Sequence, residues 1–174
     1  MNKQNIVLLF GGLIGAYYLK KPLQIALDKA QTKIKEVTTM TTGITPRGIR
    51  NNNPLNLEKT ADNWKGEIER TDTRFMTFSS PEYGIRAGGK LLMNYQRLYN
   101  LDTMKKVIDR FAPPFENDTN AYAEHIAESL GVNVDDKITI SKDNLLPILK
   151  AMIKHENGIN PYSDETIISG IALV

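Results

Sequence analysis

Fourteen consecutive residues near the N-terminus, Ile6 to Leu19 (IVLLFGGLIGAYYL), carry no charge, and Lys20, Lys21 and Pro22 follow at once. A helix of that length rises about 21 Å, short of the ~30 Å hydrocarbon core of a bilayer. Length alone therefore favours a signal-peptide core or a buried helix. No small-x-small cleavage site follows, however, and the run ends in Tyr17, Tyr18 and Leu19. Interfacial tyrosines followed by lysines that can snorkel extend the span such a helix can serve. Residues 1–21 are thus expected to form an uncleaved membrane anchor, in preference to a cleaved signal or a packed soluble helix.

The charge divides at the same place. Residues 1–40 hold six basic and two acidic groups, net +4, and residues 41–174 hold 16 basic and 18 acidic groups, net −2. The overall +2 therefore belongs to the N-terminal segment. Leu23, Leu27, Ala30, Ile34 and Val37 fall at helical spacing, and the Thr-rich stretch up to Pro46 has no periodicity. Residues 22–45 read as an amphipathic helix and linker, lying on anionic lipid or packing on the next domain. More lysines follow the apolar run than precede it, which orients the C-terminal part toward the cytoplasm. A domain of net −2 offers no general attraction to phosphates, so nucleic acid is not expected as a partner.

The chain has 174 residues, no Cys and two His. That excludes a thiol nucleophile, an iron–sulfur cluster, a Cys-type zinc site and a three-histidine metal site. No cofactor or metal is expected.

Residues 46–174 are expected to form one domain, mainly α with a small β-hairpin. RGIRNNNPLNL, residues 47–57, reads as a structured loop, because successive Asn before Pro54 favour turns and left-handed backbone. Loose alternation from Trp64 to Phe78 around Thr71-Asp72-Thr73 suggests a two-stranded hairpin. Ser80-Pro81-Glu82 starts a helix that runs to about Tyr99, with Ile85, Leu92, Tyr95 and Leu98 or Tyr99 on one side. Gly84, Gly88 and Gly89 weaken that helix and imply close packing. Asp102 or Thr103 caps a helix that must stop before Pro113-Pro114, and Asp118 or Thr119 begins another that ends at Gly131. Ser141 to Asn157 carries the apolar stripe Leu145, Leu149, Met152 and Ile153. Ser163 caps a last helix with Ile167, Ile168 and Ile171 inward.

Among groups capable of acid–base work, Glu156 stands out. It ends an apolar helix, where dry surroundings and the negative end of the helix dipole both raise a carboxyl pKa. The plainer alternative is a solvent-facing Glu paired with Lys150 or Lys154. His155 beside it is a second participant or a helix cap. Glu116 is the second catalytic candidate, but a carboxylate just before a helix is stabilised in its charged form, the wrong direction for a general acid. Glu67 and Glu69 alternate on the hairpin and could line a cleft floor. Asn51, Asn52, Asn53 and Asn56 suit N-acetyl and hydroxyl recognition, since an amide both donates and accepts. Loop building would account for them equally well. Trp64 and tyrosines such as Tyr122 offer apolar faces to sugar rings.

RGIRNNNPLNL, NWKG, RFMTFSSPEYGIRAGGKLLMNYQR, RFAPPFENDTNAY, IKHENG and PYSDETI, taken together, resemble a family of phage and prophage virion proteins regarded as peptidoglycan-degrading. That family usually has Gly where this chain has Leu55, and Trp where it has Phe111. The resemblance spans about residues 46–171. A weaker similarity is to lysozyme-like glucosaminidases and lytic transglycosylases, in which an Asn loop and a Trp-x-Gly follow a helix ending in the catalytic Glu. Here the helix of that kind, LLPILKAMIKHENGINP, stands at the C-terminus.

These resemblances imply an α+β, lysozyme-like, circularly permuted domain with Glu156 in the acid position. The substrate-binding residues implied are Asn51, Asn52, Asn53, Asn56, Trp64, Glu67, Glu69, Tyr122 and His155. The function implied is cleavage of bacterial peptidoglycan as a phage enters its host or lyses it, by a lysozyme or lytic transglycosylase mechanism. The protein would be held in the virion by a lipid membrane through residues 6–19, in contact with other virion proteins, after assembly at the host inner membrane. The alternative is a non-catalytic virion membrane or structural protein with a lysozyme-like binding domain.

Overall fold

Local signals position most of the helices. The computed structural model describes residues 45–69, 72–112 and 119–174, which fall within one unit, Thr45–Val174. The expected anchor and amphipathic segment lie outside the described residues. Among those described, no helix is long and apolar enough to cross a membrane.

The helices are α1 (Arg47–Arg50), α2 (Pro81–Tyr99), α3 (Met104–Phe111), α4 (Thr119–Leu130), α5 (Leu145–Asn157) and α6 (Asp164–Ala172). Thr103 and Ser163 cap α3 and α6 by accepting from Lys106 N and Thr166 N. Ser80 precedes Pro81 at the start of α2 but makes no side-chain cap bond. Gly158, at φ 72°, ends α5 in the left-handed conformation that glycine adopts without steric penalty.

Helix α5 lies at the centre. It packs on α1, α2, α4 and α6, while α2 runs along α6 and α3 packs on α4. Leu145, Ile148, Leu149, Met152 and Ile153 of α5 are fully buried, each burial stabilising the fold by about 1.5–3 kcal/mol. A side chain at Gly84 would strike the carbonyl oxygen of Asn52, and one at Gly88 would strike Leu55. The Asn loop therefore packs directly on the backbone of α2, the close approach expected of these glycines.

Several expectations are corrected. Helix α5 starts at Leu145, not Ser141, because Ser141 N donates to Asn144 Oδ1 and residues 141–144 form a turn. Leu98 and Tyr99 are 55% and 52% exposed and Ile168 is 51% exposed, so none of them belongs to the core. The two segments expected to form a hairpin do pair, through single bridges only, and a third segment joins them. The segment 74–78 pairs antiparallel with 57–59 through Glu58 and Phe75, and with 66–68 through Glu67 and Phe78. Met76 N donates to Leu57 O and Ile68 N to Thr77 O. The Asn loop thus supplies one pairing segment itself.

Candidate functional site

The Asn loop is built mainly from its own amides. Asn53 is fully buried; its Nδ2 donates to Leu57 O and Met76 O at 2.8 and 2.9 Å, and its Oδ1 accepts from Leu57 N. Asn52, at φ 50°, donates to Phe78 O, and Asn51 donates to Asp72. Asp72 also accepts from Arg47 and from the backbone of Arg74 and Phe75. Arg47 above all, with these further donors, holds its carboxyl well below the usual carboxylate range. The side-chain amide nitrogens of Asn51 to Asn53 thus bond within the protein and shape the loop. Asn56, also left-handed at φ 49°, differs from them.

Its Nδ2 donates to Glu156 Oε2 at 3.1 Å. Tyr122, fully buried on α4, donates its hydroxyl to the other carboxyl oxygen, Oε1, at 3.2 Å. Next along the chain, Asn157 donates to Pro54 O at 2.7 Å, so the end of α5 is clamped to the loop on both sides of the carboxyl. Burial raises the Glu156 pKa above the ordinary carboxyl value, while the bonds from Asn56 and Tyr122 oppose that rise. The ring of His155 stacks on Tyr122 with centroids 3.5 Å apart. Partial burial of its ring, with His125 adding to it, lowers the His155 pKa from the usual histidine value, although the residue stays largely exposed.

Glu156 faces a cleft of about 510 Å³, within the range of small-molecule sites. Asn56, Trp64, Phe75, Tyr95 and Phe111 line it, together with Glu58, Arg74 and Arg110. Arg74 pairs with Glu58 at 2.6 Å. Glu156 is therefore the cleft carboxyl whose pKa is raised and which no cation pairs among the described residues. A carboxyl with a raised pKa and no cationic partner is suited to give a proton to a bound molecule and take one back.

Of the residues expected at a site, Glu156, Asn56 and Trp64 meet at the cleft, with Tyr122 and His155 adjoining Glu156. Glu67 accepts from Trp64 N at 3.3 Å and braces the turn behind the cleft, while Glu69 is exposed. Glu116 lies outside the described residues. Sequence reasoning did not single out Glu58, Tyr95 or Arg110. Tyr95 and Tyr99, one helical turn apart, gave the available hint, but helical spacing sets Tyr95 beside Ile85 and Leu92. Among the described residues, no group of three His, Cys, Asp or Glu side chains is arranged to hold a metal.

The chain is 40% identical over 129 residues to Protein P5 of Pseudoalteromonas phage PM2, a match covering 71% of this chain and 79% of that protein. The chain belongs to that phage-protein family. No family model matches the chain. The phage origin expected from the ordered motifs is met at the level of this family, and the name of the relative states no activity.

Proposed function

We propose that the chain is a virion-associated phage enzyme that cleaves the glycan strands of bacterial peptidoglycan, with Glu156 as general acid and base. The observation that carries this reading is a partly buried carboxyl at a helix end, held by Asn56 and Tyr122 and open to an aromatic-lined cleft. The Asn loop, the Trp-x-Gly turn and the Glu-ended helix meet there although the helix comes last in sequence. That juxtaposition supports the circularly permuted lysozyme-like reading.

The chemistry follows from a single carboxyl. Glu156, protonated, gives its proton to the glycosidic oxygen as the bond from that oxygen to the anomeric carbon breaks. The carbonyl oxygen of the substrate's own acetamido group bonds to that carbon and carries the developing positive charge. The Glu156 carboxylate then takes the proton from water, or from the C6 hydroxyl of the muramyl residue, as that oxygen displaces the acetamido oxygen. Water gives hydrolysis, and the C6 hydroxyl gives an anhydro-sugar. Asn56 and Tyr122 fix the carboxyl and stabilise its charged form between the two steps. The run at residues 6–19 serves in this reading as a tether to a membrane that becomes internal to the virion, so that the enzyme meets peptidoglycan at the next host.

Zymography of the full chain in detergent against purified sacculi tests this. A clearing zone is expected from the parent, reduced about 10²- to 10⁴-fold in Glu156→Gln. A folded parent that clears nothing would favour the non-catalytic reading, a virion protein whose cleft only binds.

A further inference from the structure

Arg110 sits in the last turn of α3 and lines the same cleft as Glu156. Its guanidinium carbon lies 3.7 Å from the centroid of the Tyr99 ring and 5.1 Å from that of Tyr95. The two tyrosines meet edge to face, centroids 6.4 Å apart, and form a shelf beneath it. Stacking engages the flat face of a guanidinium and leaves its N–H edge free. That edge matches a carboxylate through two parallel hydrogen bonds.

The charge of the cleft sharpens the point. Arg74, the other cation in the lining, is held by Glu58. Among the described residues Arg110 makes no ion pair, so its charge is available to whatever enters the cleft. A neutral polymer of N-acetylglucosamine would leave that edge unmatched. Peptidoglycan would not, because every muramyl residue carries a lactyl group that ends either in a free carboxylate or in a stem peptide with carboxylates of its own.

We propose that Arg110, braced on Tyr95 and Tyr99, is a specificity-determining residue that binds a carboxylate of the muramyl residue and so separates peptidoglycan from chitin-like glycans. This rests on the peptidoglycan reading above. Arg110 binds and does not take part in proton transfer.

The test is binding, read from the fluorescence of the chain's single Trp, Trp64, which lines the cleft. The full chain carrying Glu156→Gln is titrated in detergent with three ligands of matched sugar length: a chitooligosaccharide, a peptide-free muramyl glycan ending in lactyl carboxylates, and a muropeptide with its stem. At least one carboxylated ligand is expected to bind about tenfold or more tightly than the chitooligosaccharide. Adding Arg110→Gln should abolish that margin while leaving chitooligosaccharide binding unchanged, and the ligand that loses affinity identifies the carboxylate. Arg110→Lys keeps the charge without the planar fork, so it should retain part of the margin and lose it as salt is raised.

Equal weakening of all three ligands by Arg110→Gln, or no weakening of any, would overturn the proposal. So would a parent that binds the chitooligosaccharide as well as the other two. If the unmutated chain clears sacculi and adding Arg110→Gln leaves the binding of Glu156→Gln unchanged, only the role of Arg110 fails. If Glu156→Gln binds none of the ligands and the unmutated chain clears nothing, the peptidoglycan reading fails with it.

Discussion

Glu156 is held in opposition. Burial favours its neutral form, and two hydrogen bonds favour its charge. Because its folded pKa lies above the unfolded value, the folded state bears no penalty at pH values where both forms are protonated. The penalty appears as pH rises through the unfolded value toward the raised one. Glu156→Gln should therefore melt higher than the parent at pH 7–8, with the difference vanishing near pH 4, even as activity is lost. Thermal melts across that range check this, and a variant less stable at pH 8 than at pH 4 relative to the parent would count against a strained carboxyl. Asp72 behaves in the opposite sense. Its folded pKa is depressed, so its contribution is present above the unfolded value of about 3.9 and disappears as pH falls toward the lower folded value. Asp72→Asn should lower the melting temperature at pH 7, and its gap from the parent should narrow in acid. The role of Asp72 was invisible in the sequence because its partners, Arg47 and Asn51, lie 25 and 21 positions away.

At the scale of elements, legibility followed the range of the signal. Thr103, Ser163 and Gly131 bounded helices correctly because capping is settled within a few residues. Of the small ladder, the pairing across Thr71-Asp72-Thr73 was legible and the third segment, 57–59, was not. The pairing segments are only two or three residues long, too short for alternation to show, and one of them belongs to a loop defined by its Asn residues. The glycines of α2 were legible for a different reason: unfavourable in a helix, they required a close neighbour. Gly84→Ala tests that neighbour. Helix propensity alone predicts a gain of about 1 kcal/mol, whereas the clash with the Asn52 carbonyl predicts a loss of about 1–3 kcal/mol. Urea denaturation should show the loss. It should also weaken the cleft, since Asn56 follows from the same loop.

For the whole molecule, the charge asymmetry and the catalytic candidate were readable in the chain, but the cleft was not. Glu156 could be singled out from one helix, whereas Asn56 reaches it across 100 positions and Tyr122 across 34. Arg110 and Tyr95 come from two further helices, and no spacing along the chain announces their meeting. That a helix from the end of the chain docks on a loop near the start of the domain is what lets separate motifs make one site. In the proposed function this site breaks glycan strands through Glu156, and mass analysis of the products decides it. Purified sacculi incubated with the full chain should release muropeptides ending in a new reducing sugar or an anhydro-sugar, and Glu156→Gln should release almost none. No glycan cleavage by the folded parent, or release by Glu156→Gln at the parent's rate, would contradict it.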